Sequence, residues 1–112
     1  MDIIFKTNKL EKLCNHKTHR ERECGQQRAK LLGRRLDEFR AADHLADIRS
    51  LPAPRCHELI GDRKGQLSVD LDHPYRLIFI VANEPVPLKA DGGLDWSKVT
   101  AIKIIGVEDT HG

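Results

Sequence analysis

A chain of 112 residues is long enough for one domain with a single modest core, and too short for two. Hydrophobic content of 39% and charged content of 32% predict a folded protein with a heavily charged surface. No apolar run nears the ~20 residues that cross a bilayer. Met1-Asp2-Ile3-Ile4-Phe5-Lys6 lacks a cationic segment followed by a long apolar stretch, so a soluble, cytoplasmic protein without a secretory signal is expected.

Ile3-Ile4-Phe5 reads as a short first strand, and Leu10 and Leu13 fit one turn of a first helix ending near Asn15 or Lys17. Gly25 separates this polar region from a better helix, Gln26 to about Ala42. There Ala29, Leu32, Leu36 and Phe39 recur at three and four residues and form one apolar stripe. Arg28, Arg34, Arg35 and Arg40 fall largely elsewhere and predict a basic flank. Leu45 and Ile48 imply one further turn with Asp43 as its cap, and Pro52 and Pro54 end the helical part.

The period then changes from about 3.6 to 2. Cys56 to Leu59 reads as a short strand and Gly61-Asp62-Arg63-Lys64-Gly65 as a charged turn. Leu67, Val69 and Leu71 alternate with Ser68 and Asp70, as in a half-buried strand. Tyr75 to Val81 is β-rich with one charge, Arg76. Asn83 to Lys98, with two prolines and Gly92-Gly93, is a loop, and Thr100 to Val107 is the last strand. The expectation is an α+β layer fold, two or three helices on one face of a small antiparallel sheet.

Charge is uneven along this layout. Residues 1–64 carry +5 and residues 65–112 carry −3. Either the helical part meets an anionic polymer or an acidic protein surface, or its charges are simply solvated. Three cysteines, an odd number, speak against a disulfide scaffold and for thiols in a reducing compartment.

A meander makes His57, Arg63, Lys64, Arg76, Asp109 and His111 neighbours. Cleaving RNA without a metal needs a base for the ribose 2′-hydroxyl, cations for the phosphorane and an acid for the leaving oxygen. Histidine can fill either proton-transfer role, and arginine can hold two phosphate oxygens. The plainer readings are a surface His57, an exposed His111, and an Arg76 that pairs with Asp70 or Asp72.

The block His57-Glu58-Leu59-Ile60-Gly61-Asp62-Arg63-Lys64-Gly65, then Tyr75-Arg76-Leu77-Ile78-Phe79, then Glu108-Asp109-Thr110-His111, resembles the RelE/HigB family of bacterial type II toxin–antitoxin killer proteins. The resemblance covers roughly residues 25–112 and treats residues 1–112 as one toxin domain. It implies helices packed on a curved sheet, and ribosome-dependent, metal-independent cleavage of messenger RNA with no cofactor. It places His57, Arg76, Asp109 and His111 at catalytic positions, with Arg28, Arg34, Arg35, Arg63 and Lys64 on ribosomal or messenger RNA. The implied partners are the ribosome, messenger RNA and a helix-turn-helix antitoxin, through which alone operator DNA would be met. Thr110 stands where related toxins often carry tyrosine, and Ile60 where some carry lysine, which points to a weak or differently selective nuclease. The rival on the same fold is a non-catalytic module, either a ParE-like gyrase poison or a degenerate toxin acting as corepressor.

Two other features need readings. Cys14, His16, His19 and Cys24 hold zinc-ligand types, but their spacing matches no usual knuckle, so a solvated junction is expected. Trp96 is expected to cover the sheet edge, the alternative being a stacking surface beside the groove.

Overall fold

The computed structural model describes residues 1–109. Strand β1 (Asp2–Phe5) leads into four helices: α1 (Asn8–Asn15), α2 (Lys17–Cys24), α3 (Gln26–Ala41) and α4 (Leu45–Arg49). Strands β2 (His57–Glu58), β3 (Gln66–Asp70), β4 (Tyr75–Val81) and β5 (Ala101–Asp109) follow. The sheet order is β1-β5-β4-β3-β2. The α+β class is as expected, but the sheet is mixed. β2 through β5 form an antiparallel meander, whereas β1 lies parallel to β5, Ile3 opposite Ile102 and Phe5 opposite Ile104.

The apolar stripe of α3 does what its spacing predicts. Ala29, Leu32, Leu36 and Phe39 are buried, and Phe39 meets Phe79 of β4 edge to face with centroids 5.1 Å apart. Leu77, Phe79, Ile102 and Ile104 complete the core from the sheet. Side chains alternate across a strand, so Arg76, Ile78 and Ile80 project from the opposite, outer face.

Helix α2 is an addition to the expected elements. Its sequence, Lys17 to Cys24, carries no apolar stripe, and packing on α3 supplies what periodicity lacks. The Arg20 guanidinium donates to the Cys14 carbonyl at 2.6 Å and lies over Gly33. A side chain at position 33 would come within 2.9 Å of Arg20 Nη2, so the guanidinium would have to shift to admit one.

The cap of α4 also differs. His44, not Asp43, is the N-cap, and the Asp47 carboxylate accepts from the amides of both Asp43 and His44. Trp96 is buried in the core beside α4, where the Arg49 guanidinium sits 4.6 Å over its ring. It is therefore part of the packing and not of the outer face. β5 runs two residues further than Val107, to Asp109.

Candidate active site

The outer face of β2, β3, β4 and β5 gathers polar side chains by register. Asp70, Arg76 and Glu108 stand in one cross-strand row, and His57, Ser68, Ile78 and Gly106 in the next. Ser68 and Ile78 are fully buried and make a dry floor. The Ser68 hydroxyl has no hydrogen-bond partner among the described residues. Ser68 was expected on a solvated face, and period-two alternation alone cannot tell an open outer face from a covered one.

Above that floor His57 and Arg76 are in contact, Nε2 to Nη1 at 3.4 Å. His57 Nδ1 lies 2.9 Å from the Arg55 carbonyl oxygen. A carbonyl only accepts and a guanidinium only donates, so the two contacts together describe a ring with its proton on Nδ1 and its lone pair on Nε2. Asp70 binds two arginines, Arg76 Nε at 3.4 Å through one oxygen and Arg55 Nη1 at 3.3 Å through the other. The plain expectation that Arg76 pairs with Asp70 is thus observed, and Asp72 instead takes Arg28.

Arg63, at the end of a 3₁₀ turn (Gly61–Arg63), reaches back over the sheet. Its two terminal nitrogens clasp the Glu108 carboxylate at 3.1 and 2.7 Å, and its Nε donates to Gln66 at 2.6 Å. Lys64 and Arg34 are exposed. Together Arg55, Arg63 and Arg76 give a cationic cluster on the outer face in which every guanidinium is ion-paired with a carboxylate.

Two of the sequence-derived positions sit elsewhere. Arg35 is not on a basic flank but is buried, 5% exposed, with its guanidinium directed to the Asp70 carbonyl at 2.7 Å, Glu38 at 2.9 Å and the Ala53 carbonyl at 3.5 Å. It has no surface to offer RNA. Arg28 is turned inward, pairing with Asp72 at 3.0 Å and stacking on the Tyr75 ring at 3.4 Å. The Asp72 hydrogen bond raises the Arg28 pKa above its ordinary value. Periodicity could not see either fate, because a long cationic side chain on the edge of an apolar stripe can bury its head when a carbonyl or carboxylate awaits it.

At the end of β5 the register matters. Glu108 is opposite Arg76 on the outer face, while Asp109 is opposite Tyr75, a position facing the helices. Glu108 is therefore the carboxylate that the strand presents beside Arg76. Thr110 and His111 lie outside the described residues.

Arg55 was missed by sequence reading. Its backbone has φ of 47°, left-handed and uncommon for a residue with a side chain, at a cost of roughly 1–2 kcal/mol. The available signal was Pro52-Ala53-Pro54 immediately before it, which confines the chain approaching His57.

Among the described residues no group of His, Cys, Asp and Glu is placed to hold a metal ion. Cys14 is buried in the core and His19, 3.0 Å from Arg22, lies on α2 with Cys24, so most of the expected solvated junction is instead a helix. All three cysteines are free thiols. Burial pushes Cys14 up to about 11 and Cys56 up to about 12. No helix among the described residues is long and apolar enough to cross a membrane.

An open mixed sheet with helices on one face fits the RelE-like class of fold. The chain matches the family described as HigB-like toxin, the RelE-like toxin of the type II toxin–antitoxin system HigB, over residues 4–88. It belongs to that family, and the family implies a cognate antitoxin. The match takes in the end of β1 and all four helices, of which the resemblance over residues 25–112 had covered α3 and α4, and it ends before β5. No curated protein matches the chain.

Proposed function

We propose that residues 1–112 act as one toxin domain, cytoplasmic, that cleaves messenger RNA on the ribosome and is neutralised by its antitoxin. The observation that carries this reading is the His57–Arg76 pair at 3.4 Å on the outer face. His57 Nε2, which faces Arg76 Nη1 in the free protein, takes the proton of the ribose 2′-hydroxyl once the bound phosphate draws that guanidinium to itself. Arg76 holds the non-bridging phosphate oxygens as negative charge builds on the phosphorane. By the resemblance of the Glu108–His111 block, His111 protonates the leaving 5′-oxygen and Asp109 has a place in the site, although its register position faces the helices and Glu108 is the carboxylate opposite Arg76.

The carboxylates matter to this chemistry. Asp70 offsets the charge of Arg76 through an ion pair at 3.4 Å, and Glu108 both offsets and orients Arg63 through two hydrogen bonds. A naked transcript competes poorly with such partners. A ribosome that delivers the messenger in a set conformation supplies the missing orientation, which supports the ribosome-dependent reading. Lys64 and Arg34, with no carboxylate clasp described, are the cations for RNA phosphates. Operator DNA is met only through the antitoxin.

The test uses purified protein, a defined messenger and translating ribosomes, with cleavage sites mapped by primer extension. The expected result is cleavage within codons on the ribosome and an intact naked messenger. Intact messenger in both settings, with the chain still toxic on induction, would overturn the nuclease and favour a binding module.

A further inference from the structure

We propose that Arg55 is an RNA-binding residue of this site, its guanidinium taking a phosphate beside the one that Arg76 holds. Four side chains meet in a line on the outer face. His57 Nε2 lies 3.4 Å from Arg76 Nη1, Arg76 Nε lies 3.4 Å from one oxygen of Asp70, and Arg55 Nη1 lies 3.3 Å from the other. Arg55 ends this line with its side chain 66% exposed, against 28% for Arg76. Among the described residues its guanidinium pairs with Asp70 alone, whereas Arg63 donates from all of its guanidinium nitrogens to Gln66 and Glu108. The head nearest solvent is thus also the one least tied down.

Asp70 paired with Arg76 alone would cancel its charge and leave a phosphate little to gain. With Arg55 on the second oxygen, the group of three keeps a net positive charge. Asp70 lies between the two guanidinia and repels an anion that would bridge them, so each takes its own phosphate. Arg76 touches the histidine and holds the phosphate that reacts. Arg55, on the far side of Asp70, holds a neighbour in the chain. Moving an exposed guanidinium from a carboxylate to a phosphate costs little, and counterions released from the RNA favour the move. Which phosphate reacts rests on the nuclease reading above, whereas contact between Arg55 and RNA does not.

The experiment compares wild type with Arg55→Ala and Arg55→Lys. All three residues carry a Cβ and meet the left-handed backbone at similar cost, so the change lies in the head group. Binding of a short labelled RNA by the free protein is followed over a series of salt concentrations. The slope of log K against log salt should shrink by about 0.7 in Arg55→Ala, the share of one phosphate on a single strand, and stay near wild type in Arg55→Lys. Should Arg55→Ala fail to fold, Arg55→Gln is read in the same way. On the ribosome, a methylphosphonate then replaces each phosphate flanking the cleaved one in turn. At one flank it should raise KM about fivefold for wild type, the scale of one exposed charge contact, and no further for Arg55→Ala.

Equal salt slopes in folded wild type and Arg55→Ala would overturn the proposal, as would no binding by wild type even at low salt. So would a methylphosphonate penalty that persists in full in Arg55→Ala. If wild type cleaves nothing, the nuclease reading falls while the salt slopes still decide whether Arg55 meets RNA.

Discussion

The Arg35 guanidinium donates to the Asp70 carbonyl at 2.7 Å, tying helix α3 to the strand whose carboxylate holds Arg76. A buried cation thus links the core to the outer-face cluster. The same guanidinium pairs with Glu38 and reaches the Ala53 carbonyl, so it also fastens the turn that precedes Arg55.

Replacing Arg35 with methionine, which keeps the length and removes the charge, leaves the Asp70 carbonyl and Glu38 without their donor. The expected loss of stability is about 2–4 kcal/mol, since breaking a buried pair from one side leaves its partner uncompensated. Arg35→Lys should recover only part of it, because an ammonium cannot bond three acceptors in the fork geometry of a guanidinium. Urea denaturation measures both, and a midpoint unchanged in Arg35→Met would contradict the assignment.

Much of this architecture was legible in the sequence. The α3 stripe, the alternation of Leu67, Val69 and Leu71, and the run Tyr75 to Val81 each carry their period openly, because burial of one face demands it. Helix α2 was not legible, since it has no apolar stripe and packs on α3, a tertiary contact with no periodic trace. The parallel pairing of β1 was equally hidden, because nothing in Ile3-Ile4-Phe5 encodes the direction of a partner about a hundred residues on. In the candidate site, His57 and Arg76 were singled out by residue type and by the resemblance of their blocks. The pairing of Arg55 with Asp70 and the inward turn of Arg35 were not legible, since a cross-strand ion pair and a buried cation leave no periodic trace.

Glu108 restrains Arg63 through two hydrogen bonds on a half-exposed surface. Glu108→Gln should free that guanidinium for phosphate. The expected gain in RNA affinity at low salt is modest, up to about fivefold, in keeping with the ~1 kcal/mol ceiling of exposed ion pairs. It should shrink as salt is raised. Titration with a short labelled RNA at two salt concentrations reads it, and weaker binding by Glu108→Gln would show that the carboxylate serves the RNA instead.

The thiols should respond to pH in a set direction. Burial raises Cys14 to about 11 and Cys56 to about 12 from an ordinary value of 9.0. A raised thiol pKa means that the folded state holds its proton more tightly than the unfolded chain. The stabilisation is therefore complete below about pH 9 and is lost as the pH climbs through 9 towards 11 and 12. Thermal melts from pH 8 to 11 should fall accordingly, and Cys56→Ala should flatten the upper part of that decline.

Alkylation follows the same logic. Cys24, only partly buried, should react first with iodoacetamide at pH 8, with Cys14 and Cys56 protected until the protein opens. Its own pKa is raised, chiefly by burial, so it should still react more slowly than a free thiol. Mass spectrometry of the labelled peptides distinguishes the three, and early labelling of Cys56 would place it outside the core.

The most direct measurement is the single-turnover cleavage rate of ribosome-bound messenger by wild type, His57→Ala, Arg76→Ala and the double variant, each checked for an unchanged melting temperature. Groups that act as one unit give losses that do not add. Each single change should slow cleavage by about 10²–10⁴-fold, the range of a proton-transfer or charge-stabilising group, and the double variant should be little slower than the worse single. A His57→Ala protein that cleaves at the wild-type rate, or losses that multiply in the double variant, would contradict a site built on the contact between these two side chains.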